Sequence, residues 1–204
     1  MDTIALPTTA SNTQPDGTLT AFDISYADST GFYYLADRSN ATMDIINGAT
    51  NEVVAQAGGP GVFFGQQATT SVSGPDGVLV AHIGGHATLF AGNGASNVVA
   101  FNVNNPAAPT LLPFSPIRTC GSFRADEMAF SPATNQLIVA NNADSPAFAT
   151  IINASTGAVQ TGHITVPTSP PSGGLEESIW NPSTATFFVS VPAFNGSNNP
   201  GGVQ

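Results

Sequence analysis

Residues 124–157 read as a series of short strands separated by polar turns. Residues 128–130 and 137–140 are apolar runs, and the second is continuous, as expected for a strand with both faces buried. A third strand is predicted over residues 148–152, and a fourth begins at Ala158. Because the turns between them are rich in Ser, Pro, Asn and Gly, the strands should form one antiparallel sheet. This unit constrains the fold because it recurs along the chain.

The unit occurs four times, and each copy begins with an acidic residue at the head of its first strand. These acidic residues are spaced 53, 51 and 50 residues apart, which is close to the length of one blade in a β-propeller. In three copies the residue after the second strand lies fourteen positions beyond the acidic residue. We therefore predict an all-β fold, with residues 1–204 forming a single propeller domain or a fragment of one. The predicted repeats start near Asp23, Asp76, Glu127 and Glu177.

The fourth copy contains two strands and the start of a third at residues 201–204. The chain therefore supplies about three and a half four-stranded blades. A propeller closes its ring with at least four blades, because closure removes exposed sheet edges. Two explanations stay open: the sequence is part of a longer polypeptide, or a second copy of the chain completes the ring as a homo-oligomer.

Charge limits the partners that this chain can have. Charged residues make up 8% of the sequence, and three arginines without any lysine stand against 13 acidic residues, for a formal net charge of −10. Because such a surface repels phosphate backbones, we expect no nucleic-acid partner. No apolar run approaches the ~18 residues of a membrane span. A small neutral or cationic ligand, a metal ion or a protein fits better.

The composition, rich in Ser, Thr, Asn and Gly and free of lysine, is common in extracellular proteins, so we expect a secreted protein. Cys120 is the only cysteine, which excludes an internal disulfide. The residues after Met1 do not form a signal peptide, so any signal has been removed or never existed.

The acidic residues at the repeat starts are the main candidates for a functional site. The first strand of a propeller blade is innermost, so its start should face one mouth of the central channel. Carboxylates that converge there repel one another and must bind a cation or take up protons. Oxygen ligands favour Ca²⁺ or another divalent cation, and hydrogen bonding to backbone amides of neighbouring blades is the structural alternative. The predicted metal ligands are Asp23, Asp76, Glu127 and Glu177.

Other side chains are expected to serve the structure. Arg124 should neutralise part of the acidic cluster, and Arg38 should tie one blade to the next. Tyr26, Phe130 and Trp180 occupy one position of the repeat, where an aromatic side chain usually packs between blades.

The chain resembles propellers of the YVTN/NHL type and, more distantly, the senescence-marker-protein/gluconolactonase family. The resemblance covers about residues 22–192. In the gluconolactonase family, acidic residues and an Asn hold a divalent metal that serves lactone hydrolysis, so the resemblance makes Glu127 and Glu177 the best ligand candidates. The family's Asn has no evident counterpart, because Asn141 and Asn142 are expected at the other end of their strand. The resemblance is carried by residues 35–40, 73–78, 124–127 and 174–177.

Two functional classes follow. The first is an extracellular binding or scaffold propeller, not an enzyme, whose channel acids hold an ion or structural waters. The alternative is a metal-dependent hydrolase of lactones or related esters, in which the metal polarises the carbonyl and activates water.

Overall fold

The computed structural model describes residues 3–165, 174–193 and 201–203. These residues form four antiparallel sheets that follow one another along the chain in the arrangement of β-propeller blades. The prediction of an all-β propeller is confirmed. Within the described ranges, the helical structure is one 3₁₀ turn, Thr70–Val72, and no helix has the length and apolarity needed to cross a bilayer.

The first sheet pairs its four strands in chain order. Its second and third strands are largely buried, whereas its fourth strand is mostly half-exposed. This sheet therefore has an inner short strand, two central strands and an outer edge. Its strands are β1 (Ser25–Ala27), β2 (Phe32–Asp37), β3 (Thr42–Asn47) and β4 (Glu52–Gly58).

The second sheet differs from the sequence-based prediction in its first turn. Residues 82–86 read in the sequence as a longer connection, but Ile83 pairs with His86, so the turn has two residues, Gly84 and Gly85, whose φ angles of 58° and 84° favour glycine. The outer strand of this sheet consists of two short pieces that both pair with the third strand. The strands are β5 (Val78–Ile83), β6 (His86–Asn93), β7 (Asn97–Asn102), β8 (Thr110–Leu111) and β9 (Ile117–Arg118).

The third sheet has four strands and the fourth has three among the described residues. In the fourth sheet Ser190 pairs with Val203, so the predicted start of a third strand is confirmed. The strands are β10 (Met128–Ser131), β11 (Gln136–Asn141), β12 (Phe148–Asn153), β13 (Val159–Thr165), β14 (Glu176–Asn181), β15 (Thr186–Val191) and β16 (Gly202–Val203).

The hydrophobic core lies between successive sheets. On β11, Leu137 and Val139 pack toward the second sheet, and Ile138 and Ala140 pack toward the fourth. Alternate residues of a strand point to opposite faces, so the continuous apolar run of β11 fills two interfaces at once. The innermost strands follow the same order, because β1 contacts β5, β5 contacts β10, and β10 contacts β14.

Candidate functional site

The first inner strand begins at a β-bulge. The Asp23 N–H donates to the Ala36 carbonyl at 2.9 Å, and the Ala36 N–H donates back to the Ile24 carbonyl at 3.4 Å. Two residues of the inner strand therefore face one residue of β2, which is the hydrogen-bond pattern of a bulge. Bulges bend a strand and redirect its side chains, so the acidic side chain of Asp23 leaves the regular pleat here.

The same pair of backbone hydrogen bonds occurs in the next two sheets. The Asp76 N–H donates to Gly92 at 3.0 Å, and the Asp126 N–H donates to Ala140 at 2.8 Å. In the fourth sheet Glu176 pairs with Ser190, and the register shifts before the next pair. Each bulge thus places an acidic residue opposite a small residue of the second strand. The equivalent acidic residues are Asp23, Asp76, Asp126 and Glu176.

The sequence-based alignment of the repeats is therefore wrong by one residue in the third and fourth copies. It placed Glu127 and Glu177 in the position that Asp126 and Glu176 occupy. The cause is the turn after the inner strand. The pair Ala27–Tyr33 encloses five residues, whereas the equivalent pair Phe130–Leu137 encloses six. An alignment that assumes fourteen positions between the acidic residue and the end of the second strand is therefore displaced by one residue in the third copy.

Arg38 joins the acidic residues of the first two sheets. Its Nε donates to Asp76 Oδ1 at 3.0 Å, and its Nη2 pairs with both Asp76 and Asp23. Asp76 is fully buried, and its Oδ2 has no hydrogen-bond partner among the described residues. Burial, and then the charge of Asp126, raises the pKa of Asp76 well above its usual value. The prediction that Arg38 ties one blade to the next is confirmed.

Asn142 occupies the position of Arg38 in the third sheet and makes the equivalent link to the fourth. Its amide donates to Asp126 Oδ2 at 2.6 Å and to Glu176 Oε1 at 3.5 Å. The expectation that Asn142 lies away from the acidic residues is wrong. In an antiparallel pair, the end of the second strand lies beside the start of the first.

Arg124 supplies the positive charge between the second and third sheets. Its Nε lies 2.7 Å from Asp126 Oδ2 and donates to Asn142 Oδ1 at 3.2 Å. The second sheet has Gly94 where the first has Arg38, and a Cβ there would lie 2.2 Å from the Val72 carbonyl oxygen. The expectation that Arg124 neutralises part of the cluster is confirmed.

Three carboxyl groups form the tightest group. Ligand oxygens of Asp23, Asp126 and Glu127 all lie within 4.8 Å of one another, and Oε2 of Glu127 is buried without a hydrogen-bond partner among the described residues. Burial raises the pKa of Asp126 to about 6 against the opposing effect of Arg124. Burial, followed by the charge of Asp126, raises the pKa of Glu127 to about 8.

Of the predicted ligands, Asp23 and Glu127 belong to this group, and Asp76 lies beside it through Arg38. Glu177 is exposed and is not part of the three-carboxylate group. Three residues of the site were not predicted from the sequence: Asp126, which belongs to the three-carboxylate group, and Glu176 and Asn142, which belong to the network around it. Asp126 and Glu176 could be identified if the repeats were aligned on the small residue near the end of each second strand instead of on the acidic residues.

The inner strands of all four sheets line a cleft of about 550 Å³. Glu127 belongs both to the residues that line this cleft and to the three-carboxylate group, so the acidic site borders the cleft. The predicted packing between blades is confirmed for Tyr26, which packs against the cores on both sides of the second sheet, and for Phe130, which packs against the core between the second and third sheets. Tyr26, Phe130 and Trp180 also line the cleft. They do not share one repeat position, because the bulge alignment makes Tyr26 equivalent to Ala129.

No protein-family model matches this sequence, and no curated protein sequence matches it. Among solved structures, the fold is similar to dihydro-heme d1 dehydrogenase NirN in complex with DHE, with a TM-score of 0.51 and 15% sequence identity. The match covers 87% of this chain and 35% of that chain, so this chain spans about a third of its length. At this identity the similarity shows the fold alone: the chain has the sheet arrangement of a β-propeller.

Proposed function

We propose that this chain is a β-propeller binding scaffold whose blade-start acids hold a divalent cation, with Ca²⁺ as the best fit. The observation that carries the proposal is the group of Asp23, Asp126 and Glu127, whose ligand oxygens lie within 4.8 Å of one another. Carboxylate oxygens are the ligands that Ca²⁺ prefers, and its flexible coordination accepts waters at the remaining positions.

The charge balance of the network supports a cation. Five carboxyl groups meet two guanidinium groups, Arg38 and Arg124, so the formal charge of the fully ionised network is −3 (2 − 5). The raised pKa values of Asp76, Asp126, Glu127 and Glu176 have the same origin, because burial penalises each ionised carboxyl group. A bound divalent cation offsets most of this negative charge.

The location of Glu127 on the cleft wall gives the ion a role in binding. An ion at this carboxylate borders a space of ligand size, where a small neutral or cationic ligand or a protein segment can reach it. An extracellular location, which the composition favours, suits such a site, because extracellular modules bind Ca²⁺ with dissociation constants of roughly 10⁻⁴ to 10⁻³ M.

Calcium titration of chelator-treated protein by calorimetry tests the proposal. The wild type should bind one Ca²⁺, and Glu127→Gln should weaken binding by about tenfold, since one charged ligand is lost at a cost of about 1.4 kcal/mol. Glu52→Gln is the matched control, because Glu52 is exposed on the outer strand β4. Saturable binding that both variants leave unchanged, or no binding at millimolar Ca²⁺, contradicts the proposal.

The finer prediction of lactone hydrolysis rests on the resemblance to the gluconolactonase family. Its test is hydrolysis of lactones by the calcium-loaded protein, with and without chelator. Activity that is lost in folded Glu127→Gln and Asp126→Asn favours the hydrolase, and activity that both variants retain rules out this site.

A further inference from the structure

Another pocket lies between the N-terminal segment and the loop that follows the first sheet. It has a volume of about 310 Å³ and is formed by residues 11–14, 20, 39 and 66–67. Within the described ranges, all eight residues that line it are Ser, Thr, Asn or Gln. An apolar ligand would have to desolvate these polar groups without replacing their hydrogen bonds, and an ion would find no opposite charge. The lining therefore suits a neutral hydrophilic ligand.

Hydrogen bonds hold the wall of this pocket in place. Ser39 is buried, and its Oγ accepts from the N–H groups of Thr20 and Ala21 at 2.9 and 2.8 Å. The N-terminal segment is fixed by Thr9, whose N–H donates to Asn40 Oδ1 at 2.9 Å and whose Oγ1 donates to the Asn40 carbonyl at 2.6 Å. A ligand therefore meets a wall that is already formed, which lowers the entropic cost of binding.

Two glutamines on the wall have hydrogen-bonding atoms that the protein does not use. Gln66 Oε1 accepts from Thr20 Oγ1 at 3.0 Å, and Gln66 Nε2 has no partner among the described residues. Gln67 Nε2 donates to the Phe64 carbonyl at 2.5 Å, and Gln67 Oε1 likewise has no partner in the described part of the chain. Both side chains are exposed, so a ligand can reach them. Each glutamine is oriented through one amide atom and leaves the other available.

We propose that this pocket binds a neutral polyhydroxylated ligand of monosaccharide size. A sugar hydroxyl both donates and accepts a hydrogen bond, and so do the hydroxyl and carboxamide side chains of the wall. Gln66 Nε2 donates to one ligand hydroxyl, and Gln67 Oε1 accepts from another. The volume lies at the lower end of the range of roughly 300–1,000 Å³ for small-molecule sites. Because a neutral hydrogen bond exchanged with water contributes little, the dissociation constant should be on the order of 1–10 mM.

Titration with D-glucose, D-galactose and D-mannose tests the proposal in isotope-labelled protein by NMR, in buffer with chelator. At least one sugar should shift the side-chain amide signals of Gln66 and Gln67 in a saturable manner, and those of Gln160, on the outer strand β13, should stay in place. Cyclohexanol, which has a six-membered ring and one hydroxyl, should leave the pocket signals unchanged. Absence of saturable shifts up to about 50 mM of every sugar, or equal binding of cyclohexanol, overturns the proposal.

A matched pair of variants tests the carboxamide of Gln66. Gln66 and Gln160 are both exposed, and the Oε1 atom of each accepts from a neighbouring side chain, Thr20 and Gln136 respectively. Replacement by methionine keeps the length of the side chain and removes its hydrogen-bonding atoms. Gln66→Met should weaken binding of the best sugar at least fivefold, read from the Gln67 signals, and Gln160→Met should change it less than twofold. Equal effects in the two variants overturn the proposal.

Calcium separates this proposal from the cation site. None of the three clustered carboxylates lines the pocket, so saturating calcium should change the sugar affinity less than twofold. Sugar binding that appears only with calcium, and leaves the signals of Gln66 and Gln67 in place, puts the ligand at the cation site and overturns the proposal. A protein that binds no calcium still tests this pocket, because the sugar titration is done with chelator.

Discussion

Replacing Arg38 with methionine should destabilise the protein strongly, because Arg38 compensates two carboxylates at the boundary between the first two sheets. Its guanidinium group contacts Asp76, which is fully buried, and Asp23. Removing one partner of a buried ion pair lowers the free energy of unfolding by about 3–5 kcal/mol, because the remaining charge stays buried without a partner. For a domain of this size, such a loss lowers the melting temperature by roughly 6–20 °C.

The double variant distinguishes the ion pair from simple loss of packing. Asp76→Asn removes the charge that Arg38→Met leaves uncompensated, so the double variant should be more stable than the sum of the single losses predicts, by about 0.5–3 kcal/mol. Urea unfolding followed by circular dichroism measures each free energy. Arg118→Met, at an exposed position, is the control and should stay within about 0.5 kcal/mol of wild type. Additive losses, or an Arg38→Met variant as stable as this control, refute the reasoning.

Two further variants test a buried carboxyl group of the first sheet and a close contact between the second and third sheets. Burial raises the pKa of Asp44 to about 7, so the folded state keeps a proton that the unfolded state releases, and wild-type stability should fall as the pH rises from about 4 to about 7. Asp44→Asn should remove this fall, so its urea midpoint relative to wild type should be higher at pH 8 than at pH 4; a pH-independent difference contradicts this. Gly77→Ala should destabilise by about 1–3 kcal/mol, because its Cβ would lie 2.5 Å from the backbone of Asp126. Gly162→Ala, where the nearest atom is 3.9 Å away, should cost less in the same thermal melts, and equal losses would refute the close approach of the two sheets.

The sequence predicted the sheets well because their strands are encoded locally. The continuous apolar run of β11 and the repeat of about fifty residues are visible without any knowledge of contacts. The position of each acidic residue within its bulge is less visible, since it depends on the length of the following turn. One extra residue between Phe130 and Leu137 moved the alignment from Asp126 to Glu127.

The partners of the acidic residues could not be read from the sequence. Arg38 and Asn142 occupy the same place in different sheets, but one is charged and the other is neutral, and each reaches an acid of the next sheet. Their equivalence follows from the antiparallel pairing that brings the end of a second strand beside the start of the first. The cleft could not be predicted from the sequence either, because Trp180 lies at a repeat position where an aromatic side chain usually packs in the core.

Anomalous diffraction from crystals grown with calcium tests the central claim most directly. The account predicts one anomalous peak about 2.3–2.6 Å from carboxylate oxygens of Asp23, Asp126 and Glu127, the three groups that the bulges and inner strands bring within 4.8 Å. A calcium peak elsewhere on the molecule with none at these three residues, or no peak at saturating calcium, would contradict it.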